Sequence, residues 1–180
     1  KNIKFSSDNV DFRSDLLKII KKNTGHLVEG QLENSKSILS KNLTKLLNLN
    51  LNKLDIKNTK FSSKNNFIFQ INNSFKFQNL KLESEINFNQ IIYKDENKLL
   101  GIFPEFKKNV LLNNHDLKLK YEKNILLVNG NGKIKIGNNS DKVEYVITKK
   151  NKDIEFETDL NIKKTKIKNK KSFKSYFPQT

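Results

Sequence analysis

A chain of 180 residues with 35 Lys and Arg against 19 Asp and Glu carries a formal charge of +16 and has the length of one domain, or of one slice of a longer repeating sheet. It holds no cysteine and no apolar run near the roughly 20 residues of a membrane helix, which excludes disulfides, thiolate chemistry, zinc–thiolate sites and a helical span within this stretch. Arg13 is the only arginine, 28 residues are Asn and none is Ala, a bias toward AT-rich codons. The charge therefore reads first as a solvated lysine surface. Attraction to anionic membrane or nucleic acid is the alternative, and sequence-specific base reading wants arginine instead. The chain begins at Lys1 and contains no Met, and it is expected to be a fragment of a longer protein.

Residues 1–48 read as a mixed segment. Ile3 and Phe5 alternate, then Val10 and Phe12. Ser14-Asp15 is placed to cap a short helix over roughly 15–23, with Leu16, Leu17, Ile19 and Ile20 on one side and Gly25 as its stop. His26–Leu32 reads as a short strand, and 36–47 as a second helix on the spacing of Ile38, Leu39, Leu43, Leu46 and Leu47.

From residue 49 the apolar period becomes two, which predicts an antiparallel β-meander over 49–180. Leu49 and Leu51, Leu54 and Ile56, and Phe75 and Phe77 alternate. A phase slip at Gln78-Asn79 predicts a bulge or tight bend. Residues 90–112, with Gly101 and Pro104, are expected to form a loop carrying an apolar plug of Leu99, Leu100, Ile102, Phe103 and Phe106. Turns are expected at Glu122–Asn124, Gly137–Asp141 and Lys149–Asp153. Asn129-Gly130 would also suit a hairpin turn. One continuous strand with glycine bulges is preferred, because the even-numbered apolar face resumes in register beyond it. Residues 54–61 and 160–167 share the pattern L-x-I-K-x-T-K, a hint of an extendable repeat.

The fold class expected is all-β: a long curled antiparallel meander with one or two short N-terminal helices. The strands outnumber the helices able to cover them, so the apolar face is expected to line an open groove. Its predicted lining is Phe67, Phe69, Ile71, Leu80, Leu82, Ile86, Phe88, Leu117, Leu119, Tyr121, Leu126, Val128, Ile134, Ile136, Val143, Tyr145, Ile147, Ile154, Phe156, Leu160 and Ile162. An ordinary closed core is the competing reading.

Chemistry-bearing motifs are missing. There is no nucleophile elbow, P-loop or dinucleotide fingerprint; Gly130-Asn131-Gly132 with Gly137 has the wrong spacing and lies within strands. His26 and His115 are read as surface or turn residues. Asp153, Glu155, Glu157 and Asp159 share one strand face and are read as solvated, since an open row of acids lacks the desolvation that acid–base work requires. No catalytic residue, metal site or cofactor is expected.

The runs Leu117–Tyr121, Val128–Ile136, Asp141–Tyr145 and Phe156–Ile162 resemble the central β-rich region of the AsmA-like bacterial envelope proteins of the YhdP and TamB type, over roughly residues 50–180. The resemblance implies a periplasmic protein, anchored to the inner membrane by a segment not present here, whose groove passes phospholipids between inner and outer membranes. The partners it implies are phospholipid acyl chains, the envelope membranes and other segments of the same chain, with no specific nucleic acid. About ten strands at ~4.8 Å spacing give a trough of roughly 48 Å, longer than the ~30 Å hydrocarbon core of a bilayer. Two other functions stay open: a scaffolding β-domain assisting outer-membrane protein assembly, and a basic nucleic-acid-binding module. A membrane β-barrel is disfavoured by the lack of Trp and the four Tyr.

Overall fold

The computed structural model describes residues 3–7, 10–39, 54–56, 58–94, 109–150 and 153–161. Within them lie eleven strands. They are β1 (Ile3–Ser7), β2 (Val10–Ser14), β3 (Leu17–Lys22), β4 (Gly25–Ile38), β5 (Leu54–Asp55), β6 (Lys60–Asn72), β7 (Phe77–Lys94), β8 (Asn109–Glu122), β9 (Ile125–Ile136), β10 (Asn139–Lys150) and β11 (Asp153–Asn161). All belong to one open antiparallel sheet in the order β1-β2-β4-β6-β7-β8-β9-β10-β11. Among the described residues every extensive contact between strands joins sheet neighbours, so no described strand packs across either face.

Two long strands, β4 and β7, each share one edge between two partners. β4 pairs with β3 over Gly25–Gly30 and with β2 at Glu33 and Asn34. The corner between β2 and β3 is fixed where Leu16 O accepts bonds from Gln31 N at 2.9 Å and Ser14 Oγ at 3.0 Å. β7 pairs with β6 and, beyond it, with β5 at Ile92 and Tyr93. There the buried Thr59 donates from Oγ1 to Gln90 O at 2.8 Å, and its carbonyl accepts from Leu39 N at 2.9 Å.

The first expected helix, 15–23, is not formed. Residues 17–22 are strand β3, joined to β4 by a turn at Asn23 and Thr24 with Lys22 opposite Gly25. A helix that short gains little from its own hydrogen bonds, whereas the edge of β4 satisfies the same backbone at once. Gly25, expected to stop a helix, opens a strand at φ 137° instead. Of the second expected helix, residues 36–38 are the end of β4; residues 40–47 lie outside the described residues, as does the Leu49–Leu51 alternation. The expected loop 90–112 is shorter at both ends: β7 runs to Lys94 and β8 starts at Asn109. The plug residues between them lie outside the described residues, as do Lys57 in the first copy of the suggested repeat and residues 162–167 of the second.

The turns are close to expectation. Lys123 and Asn124 both take left-handed φ, 52° and 62°, the two-residue geometry that matches strand twist. Gly137 (φ 63°) and Asn138 form the next turn, shorter than expected because β10 resumes at Asn139. The slip at Gln78-Asn79 is a bulge: the β6–β7 register shifts between Ile68 and Gln70, and Asn79 has φ 53°.

Between β6 and β7 lies a longer turn, over residues 73–76. Asn72 N donates to Lys76 O at 3.1 Å and Phe75 N to Asn72 O at 2.9 Å. Asn72 Oδ1 accepts from Ser74 N at 3.0 Å and from Lys76 N at 2.9 Å. Phe75 occupies the left-handed position at φ 56°. This is the position that Gly or Asn fills in most such hairpins, and a bulky residue there costs about 1–2 kcal/mol.

Candidate functional site

Because opposed residues on adjacent strands share a face, the registers define rows across the sheet. One row is Leu17, Gly30, Phe67, Leu82, Tyr121, Leu126, Lys149 and Ile154. The next on the same face is Leu32, Asn65, Ser84, Leu119, Val128, Ile147 and Phe156. Then come Asn34, Ser63, Ile86, Leu117, Gly130, Tyr145 and Thr158, and after them Ser37, Phe61, Phe88, His115, Gly132, Val143 and Leu160. The predicted lining residues from Phe67 to Leu160 thus fall on a single face.

Their exposure is graded along the strands. Phe88, Ile136 and Val143 are buried; Phe67, Phe69, Ile71, Leu82, Ile86, Leu117, Leu119, Tyr121, Leu126, Val128, Ile134, Tyr145 and Ile147 are half-buried; Leu80 is exposed. At the turn end of β3, β6 and β7 the exposure is greatest, with Ile19 at 62% and Phe77 at 69%. Ile154, Phe156 and Leu160 lie on β11 by register; their side chains, like the whole of Ile162, lie outside the described residues.

His26 is exposed, as expected, but His115 corrects its expectation: it is fully buried, at 0% exposure, and lies within β8. The cause is a bulge. The β8–β9 register shifts between Asn113 and Asp116, and Asn114 takes φ 48°. The extra residue puts Val110 and Leu112 on the same face as Leu117 and Leu119, and turns His115 inward with them. Its ring stacks on Phe88 at 5.2 Å between centroids, nearly parallel at 4°. It lies over Gly132, where an added Cβ would collide with His115 Cδ2. Tyr145 lies over Gly130 in the same way, with its Cζ in the space such a Cβ would need. The glycines are therefore seats for rings. They are not bulges as expected: both pair regularly with β10, and the irregularity belongs to β8.

The electrostatics follow from this packing. Burial holds the His115 imidazole below its ordinary value of 6.5, opposed by the Lys133 carbonyl and the Asp116 charge. In the neutral ring Nε2–H donates to Lys133 O at 3.2 Å, leaving the Nδ1 lone pair without a partner among the described residues. Burial also pushes the Tyr145 phenol up.

The opposite face is a field of cross-strand charges. Lys120 pairs with Glu83 at 3.1 Å, Lys81 with Glu122 at 2.7 Å and Lys64 with Glu33 at 3.5 Å. The Lys81 ammonium bonds the Glu122 carboxylate and holds it below its usual range. A cleft of about 770 Å³ on this side runs from Arg13 on β2 to Asn131 on β9. Its charges are interleaved and balanced, Arg13, Lys64 and Lys118 against Glu33, Glu85 and Asp116. The acids Asp153, Glu155, Glu157 and Asp159 are exposed, and no cluster of three or more metal-ligating side chains occurs among the described residues. No described helix is long and apolar enough to cross a membrane.

Comparison with protein-family models, with curated proteins and with solved structures finds no match to this chain.

Proposed function

We propose that this chain is a segment of a periplasmic, AsmA-like envelope protein whose curled sheet carries phospholipid acyl chains along its apolar face between inner and outer membranes. The observation that supports it most is the half-burial of two successive apolar rows, through Leu82–Tyr121–Leu126 and Leu119–Val128–Ile147, on an open sheet with no described strand packed across them. A closed core buries such residues to a few per cent; a groove leaves them for a ligand to cover. Removing a 16-carbon chain from water is worth on the order of 13 kcal/mol at ~0.8 per methylene, so a greasy wall needs no specific contact to hold it. In this reading the protein has no catalytic residue, and the anchor to the inner membrane lies outside these 180 residues.

The deeper row argues for the scaffolding alternative, because Phe88, His115 and Val143 are buried as in a core. One experiment separates the two. Phospholipid is extracted from the purified chain and from Leu119→Asp. The groove reading expects bound phospholipid in the first, a loss of at least roughly fivefold in the second, and a retained strand spectrum, because a carboxylate in an open groove stays partly hydrated. A wild-type chain free of lipid, with a variant that unfolds, would replace the groove with a structural core.

A further inference from the structure

Phe75 is the most exposed large apolar residue described, at 87%, and it sits at the very tip of the β6–β7 hairpin. Nothing in the described chain covers it, and its left-handed backbone would be eased by glycine. Four hydrogen bonds around Asn72 nevertheless hold the turn that presents it. Phe77 stands beside the tip and packs against Phe69, with ring centroids 4.8 Å apart. Ile19 and Leu80, also exposed, continue the patch on the same face. By register, Lys21 lies in the row of His26, Ile71 and Phe77, and Lys22 lies opposite Gly25, which pairs with Asn72. Lys21, Lys22 and Lys76 are all exposed. The carboxylates Glu29 and Glu122 lie further in along the strands, and Glu122 is already bonded by Lys81.

We propose that this hairpin tip is a membrane-docking element: the Phe75 and Phe77 rings enter the interface of an anionic lipid surface while Lys21, Lys22 and Lys76 meet its headgroups. Aromatic rings favour the boundary between headgroups and acyl chains, and lysines beside them add attraction to anionic lipid. A protein partner would equally cover the rings, but the surrounding charge is of one sign, which suits a lipid surface. Docking would place the most exposed end of the apolar face against the bilayer. It goes beyond the groove reading and does not require it.

The chain contains no tryptophan, so Phe75→Trp supplies a single reporter at the tip. Vesicles of phosphatidylcholine mixed with phosphatidylglycerol should shift its emission to the blue, and bromolipids should quench it. Phe75→Gly, which relieves the backbone, should fold at least as well and bind the same vesicles roughly tenfold more weakly. Lys76→Glu should bind more weakly at low salt. Docking is overturned if Phe75→Gly binds as tightly as the unaltered chain, which would reduce the interaction to charge alone. It is also overturned if the Trp emission is unmoved by vesicles, or if the chain self-associates through Phe75 and ignores them. Vesicle docking by a chain that carries no lipid of its own would sustain this proposal and sink the groove.

Discussion

His115 and Tyr145 show how two glycines shape a wall of the sheet. Each ring lies across a residue with no side chain, so β9 gives up its own side chains at 130 and 132 to let neighbours cover it. Gly132→Val should destabilise the chain by about 1–3 kcal/mol, as overpacking does, read as a drop in the urea midpoint. The buried imidazole adds a pH dependence. Its folded pKa lies below the unfolded 6.5, so the unfolded state takes up a proton that the folded state resists. The stability contributed by the neutral ring is full above pH 6.5 and drains as the pH falls below it. His115→Phe keeps a ring on Phe88 without the titration and should flatten the urea midpoint between about pH 7.5 and 5. An unchanged slope would assign the acid sensitivity elsewhere. The inward turn of His115 was partly legible in the sequence: Val110 and Leu112 are even-numbered, Leu117 and Leu119 odd, and Asn113-Asn114 separates them. Asn accepts the left-handed backbone that a bulge needs, but an apolar face carrying one imidazole looks polar at that point.

At the scale of elements, alternation identified the strands and polar pairs identified the turns, because both depend on local chemistry. The N-terminal helix failed because Leu16, Leu17, Ile19 and Ile20 fit either period, and only the pairing of β3 along β4, set by the Asn23-Thr24 turn, decides between them. The extension of β7 and β8 beyond residue 90 was hidden by a slip that both strands make together: their mutual register is constant while Phe88 and Ile91 both face the apolar side. The β6–β7 hairpin gives the sharpest test of an element. Asn72→Ala removes the acceptor of two backbone N–H groups and leaves Phe75 in its strained conformation. It should cost about 1–2 kcal/mol of stability, recovered in part by adding Phe75→Gly. By contrast Lys120→Ala breaks an exposed pair and should change stability by less than about 0.5 kcal/mol.

Across the whole described sheet, one face carries interleaved charge and the other a graded apolar surface. This division follows directly from period two and was legible along the described strands between residues 60 and 161, apart from the stretch 90–112 that the sequence read as a loop and the inward turn at His115. Whether the apolar face is covered is a tertiary fact that no periodicity encodes, which is why a closed core stayed beside the expected groove as a competing reading. The +16 charge predicts weak, salt-sensitive, sequence-indifferent binding to nucleic acid, since the lysines interleave with acids on the polar face; a filter-binding titration at physiological salt that gave tight, sequence-dependent binding would contradict it.

The most direct test of the central claim uses the alternation itself. Lys118, Leu119 and Lys120 are consecutive, yet only Leu119 faces the apolar side. A photo-crosslinking amino acid placed at each position in turn, in cells, should capture phospholipid at 119 and little or none at 118 and 120. Capture at all three alike, or at none while the chain is folded, would contradict an acyl-chain groove on this face.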